Sequence, residues 1–225
     1  MNEIHPTAII GKDVVLGKGN VILPYTIIEG SVVIGDNNTI GPHAIIGSPA
    51  TDTKKVNYNY PNPHVRIGND NIIREFCVIE QPCYEDVTLI GDNVFLMQGV
   101  HVSHDVHIYN NVVITNTSVI AGLVKLLEGA YIGMACTVNQ FTVIGQYSIV
   151  ATNSACMKNV KPFAKYIPGK GISVNEYAVI KYGFGDYLNE INANILQGIH
   201  YESERLTELN SQFQCFVQKY GHSTY

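Results

Sequence analysis

The chain has 225 residues, 46% of them hydrophobic and 15% charged, which suits one large domain or a domain with an appendage and excludes a disordered tail. A formal net charge of −5 and the scarcity of arginine (Arg66, Arg74 and Arg205) argue against a nucleic-acid surface, which needs a basic face. No run of about 18 apolar residues exists, the N-terminus lacks the order of a signal peptide, and Cys77, Cys83, Cys136, Cys156 and Cys215 have no CxxC spacing, so a cytoplasmic protein with reduced thiols and no membrane span is expected.

From the N-terminus, Ile10, Leu16, Ile22, Ile28, Ile34, Ile40 and Ile46 recur at every sixth residue. The polar, proline-containing stretch "SPATDTKKVNYNYPNPH" (48–64) breaks the period, and Ile67, Ile73 and Ile79 resume it. A shorter break, "EQPCYEDVTL" (80–89), precedes a long run: Ile90, Leu96, Val102, Ile108, Ile114, Ile120, Leu126, Ile132, Val138, Ile144, Val150 and Cys156. Four residues after each anchor of that run stands a small or β-branched residue, from Val94 to Ser154. Strands of an ordinary sandwich have period two with turns every 8–12 residues and would not hold a strict six. Hexapeptide repeats are a β-helix signature: each unit is a short strand plus a corner, and three units make one triangular coil. The two breaks are loops thrown out from that solenoid, usual places for binding residues.

After Val160 the period stops. "KPFAKYIPGKGISV" reads as a connector, and the spacings of "NEYAVIKYGF", then of Leu188 to Ile199, then of Leu206 to Tyr220, predict three helices that cap the open end of the solenoid. The division expected is a β-helix domain over 1–160 and a helical tail over 161–225.

The segment "VHVSHDVHI" (100–108) places three histidines and an aspartate among β-branched residues. His104 could be a base, a metal ligand or a solvated corner residue. Zinc needs convergent ligands, and a spacing of three on a hexapeptide coil turns His101, His104 and His107 in different directions, so no metal is expected. With three hexapeptides per coil, His104, Gly122 and Gln140 stack in one column, about 4.8 Å per step. Acyl transfer uses such a set. An imidazole takes the proton of the attacking hydroxyl, a backbone N–H at a glycine receives the oxyanion, and Asp105 can fix the imidazole tautomer.

The repeat is similar to that of the hexapeptide-repeat acyltransferases, whose β-helix is left-handed, against the usual crossover rule. "NVFLMQGVHVSHDVHI", "VIAGL", "TVNQF" and "VKPFAKYIPGKGISVN", with "IHPTAII" and "IGNDNIIRE", resemble the UDP-N-acetylglucosamine 3-O-acyltransferases of lipid A biosynthesis, over about Ile4 to Phe184. The resemblance implies His104 as catalytic base, Asp105 as its partner and Gly122 as oxyanion donor. It implies Asp52, Lys54, His101, Gln140 and Asn175 as substrate contacts. It further implies a homotrimer with active sites between subunits, an acyl carrier protein or coenzyme A thioester as donor, a nucleotide sugar as acceptor, and no tightly bound cofactor. The chain departs from the family where Leu123 replaces a histidine, where Lys181–Tyr182 replaces a basic pair, where "EQPC" replaces "HRGT", and in its shorter tail. The departures fall on substrate contacts. N-acylation of a nucleotide-linked amino-deoxysugar is therefore the alternative reaction, and a non-catalytic binding solenoid the third reading.

Overall fold

The structure is a computed structural model that describes residues 1–52 and 64–225. Strands of mostly two to four residues recur along the chain, and every third one pairs in parallel. The result is three sheets of ten, eight and seven strands, the faces of a triangular prism. Register follows the hexapeptide: Glu3 pairs with Val21 and Val21 with Thr39, three repeats apart each time. Across the first insertion Thr39 pairs with Ile72, and across the second Ile72 pairs with Phe95. Both steps are longer than a regular coil, yet anchor still stacks on anchor.

Every anchor from Ile22 onward is buried in one continuous axial core, together with the small residues four positions on. Burying an aliphatic side chain is worth about 1.5–3 kcal/mol, so the repeat carries most of the stability. On one side of the N-terminal coils the second inward position is polar. Asn20, Asn38 and Asn71 stack there, each carboxamide oxygen accepting the backbone N–H one coil on (Asn38 N to Asn20 Oδ1 2.8 Å, Asn71 N to Asn38 Oδ1 2.9 Å), which satisfies buried amides. The residue three after most anchors turns the corner in the left-handed region, among them Asp105 (φ 61°), Leu123 (φ 64°) and Phe141 (φ 61°).

The stretch after Val160 is more than a connector. Ala164–Ile167 extends the ten-stranded sheet in parallel with Ile149–Val150, and Gly171–Val174 folds back antiparallel on it. Three α-helices follow, α1 (Glu176–Lys181), α2 (Leu188–Gln197) and α3 (Glu204–Tyr220). α1 and α2 close the last coil, with Ala178, Val179, Ile191 and Ile195 joining the axial core. α3 joins that core through Leu206 and Leu209 and then goes further than a cap: Phe213, with Phe216, Val217 and Tyr220, packs on Leu127 and Val143 of the prism flank. The helix thereby runs back toward the middle coils. Among the described residues no helix is long and apolar enough to cross a membrane.

Candidate active site

His104 stands on the corner after the strand His101–Val102, which stacks on Val119–Ile120 and then Thr137–Val138. That register brings His104, Gly122 and Gln140 into one column. His104 is not the solvated corner residue: its side chain is only 4% exposed, at the wall of a 720 Å³ cleft. The insertion roots (Thr51, Asp52, Tyr84, Glu85), the corners (His104, Leu123, Gln140, Phe141) and the end of α3 (Lys219, Tyr220) line this cleft.

His104 Nδ1 lies 2.7 Å from Asp105 Oδ2. A carboxylate only accepts, so Nδ1 carries the hydrogen and the Nε2 lone pair is left toward Asp52, whose Oδ2 is 4.0 Å away. Asp105 is fully buried and also accepts the backbone N–H groups of Cys83 (3.0 Å), Tyr84 (3.1 Å) and Glu85 (2.8 Å). The partner of the imidazole therefore pins the second insertion as well. Burial disfavours the imidazolium of His104, but the hydrogen bond and charge of Asp105, with the charges of Glu80 and Asp52, outweigh it and raise the pKa above 6.5.

Gly122 serves the column in a way not foreseen. A Cβ there would stand 2.7 Å from His104 Nε2 and closer still to Cε1, so the imidazole occupies the space that the missing side chain leaves. Its N–H donates no hydrogen bond to the described residues.

His101 does not reach the cleft. Its Nε2 is 3.2 Å from Glu80 Oε1, and Glu80, fully buried, also accepts from Thr51 Oγ1 (2.7 Å) and from the His104 N–H (3.1 Å). Burial works against the Glu80 carboxylate, yet hydrogen bonds from His101 and Thr51 keep its pKa below the usual value. His107 turns elsewhere, 3.2 Å from Glu85 Oε2, so the three histidines do not converge. Asp52 accepts from the Tyr84 hydroxyl at 2.8 Å, while Lys54 lies outside the described residues. Asn175 is not brought to His104. It lines a separate 390 Å³ cleft on the ten-stranded sheet with Lys181 and Tyr182, its Nδ2 donating to Tyr147 O at 3.0 Å.

Sequence reasoning misses Glu80, Tyr84, Glu85, Lys219 and Tyr220. For the first three the only signal is the broken period at 80–89. For the last two there is none, since they reach the cleft only because α3 folds back.

Fold and repeat define the class: a parallel β-helix built from hexapeptide units. Residues 13–48 match the family model "Bacterial transferase hexapeptide (six repeats)". Within that class the chain resembles UDP-N-acetylglucosamine acyltransferases. It is 35% identical over 164 residues to the acyl-acyl-carrier-protein–UDP-N-acetylglucosamine O-acyltransferase of Campylobacter concisus, covering 72% of this chain and 62% of that protein. It is 44% identical over 121 residues to the enzyme of the same name from Nautilia profundicola, covering 52% and 45%. The chain thus spans about half to three-fifths of these relatives' length. The solved UDP-N-acetylglucosamine acyltransferase from Bacteroides fragilis superposes with a TM-score of 0.78 at 26% identity, covering 100% of this chain and 98% of that one. The expected left-handed parallel β-helix with a helical C-terminal region is the fold of this chain.

Proposed function

We propose that the protein transfers an acyl group from an acyl carrier protein, or from a coenzyme A thioester, to a hydroxyl of a nucleotide-activated amino sugar, with 3-O-acylation of UDP-N-acetylglucosamine as the reaction. The observation that carries this reading is the buried His104–Asp105 pair, with Nε2 directed to a cleft wall that holds a second carboxylate, Asp52. The likeness to the relatives named above supplies the substrate class.

In this reading His104 Nε2 accepts the proton of the sugar hydroxyl as its oxygen attacks the thioester carbonyl. Asp105 holds the Nδ1–H tautomer and balances the imidazolium. The Gly122 N–H donates to the tetrahedral oxyanion. Collapse expels the thiolate, which takes the proton back from His104. Asp52 accepts from sugar hydroxyls, Lys54 meets a phosphate, and Gln140 donates from the cleft wall. His101 acts through Glu80 on the backbone of His104. No metal or tightly bound cofactor takes part. The donor and acceptor imply a cytoplasmic enzyme.

The test is a panel of UDP- and dTDP-sugars against short and long acyl donors, read by mass spectrometry. A product heavier by one acyl group on a hydroxyl of UDP-N-acetylglucosamine is expected; acylation of only an amino sugar, or of none, overturns the reading.

We further propose a homotrimer, in which the Asn175 cleft of one subunit meets the His104 cleft of its neighbour. The flat prism faces and the separation of the two clefts within one chain support it. Light scattering at micromolar concentration should give three times 24.8 kDa, and the monomer mass would remove the shared site.

A further inference from the structure

Cys83 has no part in the chemistry above, yet it lies buried beside the cleft-lining His104, 2% exposed, with Sγ 3.8 Å from His104 Nδ1. It replaces nothing in the repeat, since it belongs to the second insertion. Asp52 comes from the root of the first insertion. A carboxylate oxygen of Asp52, the Cys83 sulfur and an imidazole nitrogen of His104 lie within 4.8 Å of one another.

We propose that Asp52, Cys83 and His104 form a binding site for zinc, or a similar borderline-soft divalent ion, which enters from the cleft and takes the lone pair of His104 Nε2. Three observations carry this. The donor set, one oxygen, one sulfur and one nitrogen, is one that zinc accepts at about 2.0–2.3 Å, and that calcium and magnesium, which want oxygen, do not. Asp52 Oδ2 and His104 Nε2 are 4.0 Å apart, about 0.7 Å wider than a tetrahedral site needs on those bond lengths, and two of the three ligands sit on insertions, not on the rigid coil. The outer shell is already in place: Asp105 holds His104 Nδ1–H, as a carboxylate does behind a zinc-bound histidine, and the Tyr84 hydroxyl donates to Asp52. On binding, the Cys83 thiol releases its proton to water. The resulting thiolate and the Asp52 carboxylate balance the two positive charges, and the fourth position faces the cleft. The ion acts as an inhibitor, and this consequence rests on His104 being the base.

The test uses cobalt(II) as probe on the full, tag-free chain. About one equivalent per chain should give a sulfur-to-cobalt charge-transfer band in the near ultraviolet with the intense visible bands of a four-coordinate ion. Zinc should displace them. Cys83→Ala should abolish the charge-transfer band, and Asp52→Asn should weaken cobalt binding at least about tenfold. Cys215→Ser, which removes the exposed thiol, should leave the spectrum unchanged. Circular dichroism establishes that each variant is folded, and if Cys83→Ala is not, zinc protection of Cys83 from alkylation in the unsubstituted chain is the second readout. Absence of the band, its survival in Cys83→Ala, its loss in Cys215→Ser, or alkylation of Cys83 indifferent to zinc overturns the proposal. None of these spectra depends on turnover, so the metal site and the acyltransferase reading fail separately.

Discussion

Replacing His104 by alanine lowers turnover on a hydroxyl acceptor by about 10²–10⁴-fold, the range for loss of a general base. The side chain is enclosed, so some loss of melting temperature accompanies it. The fold nevertheless persists, because Asp105 keeps its three backbone donors from the second insertion. Gly122→Ala tests the same claim without touching a polar group. The new methyl would stand 2.7 Å from the imidazole Nε2, well inside contact distance. The ring is held by Asp105 and leans on Tyr84, with centroids 5.7 Å apart, so it yields by leaving its place. A loss of kcat close to that of His104→Ala is expected with little change in KM.

The pH profile carries the sign. As the proposed base, His104 works as neutral imidazole and its pKa is raised, so kcat/KM of the unsubstituted protein should climb with pH through a midpoint above 6.5. That limb should be absent in His104→Ala. Near-full activity of His104→Ala toward a hydroxyl acceptor would remove the base assignment. Retention toward an amine alone would favour N-acylation, since a neutral amine is already a nucleophile.

Glu85→Ala should destabilise the protein by about 3–5 kcal/mol, a large fraction of the stability of a domain. Lys125 Nζ, wholly buried, is 2.7 Å from Glu85 Oε2, and without that carboxylate an uncompensated charge stays inside. Lys219, half exposed, adds little by pairing with the other oxygen, but it and the Tyr220 hydroxyl tie the end of α3 to the cleft. Burial opposes the Glu85 carboxylate, but His107, Lys125 and Lys219 together hold its pKa far below 4.5. A depressed folded-state pKa gives stability that is present above about pH 4.5 and lost as pH falls toward the folded value. The gap between the two proteins in urea melts should therefore narrow in acid. The double variant Glu85→Ala/Lys125→Met should regain most of the loss. Equal urea midpoints for Glu85→Ala and the unsubstituted protein at pH 7 would refute this account of α3.

The solenoid was legible because its core has a single period. Ile90 to Cys156 point inward at every sixth position, and no other arrangement buries them all. The column followed from arithmetic, since three hexapeptides per coil put positions 104, 122 and 140 in line. The remaining features depend on the chain leaving its period. Nothing in "EQPCYED" indicates that three of its amides will converge on Asp105, or that Glu80 will turn inward under His104. The amphipathic spacing of α3 identifies a helix and its apolar face. That the C-terminal half of that face, from Phe213 on, leaves the axial core for Leu127 and Val143 of the flank depends on where the α2–α3 connection emerges. Asn175 and His104, both given to the substrate site by resemblance, line separate clefts of one chain, the separation that the proposed homotrimer would bridge.

The two insertions lengthen the step between stacked strands by unequal amounts without moving Ile40, Ile73 and Leu96 off one another. A corner of this prism therefore accepts added chain of any length, whether or not it is a multiple of the coil. The column of His104, Gly122 and Gln140 and the insertion walls of the cleft can therefore vary independently. Lengthening or exchanging 48–64 or 80–86 alters the residues that line the cleft, as Tyr84 and Glu85 do here, while His104 and Gly122 keep their places. A designer can use the same freedom, grafting loops of unrelated length at those two roots to reshape the cleft around an unaltered His104–Asp105 pair.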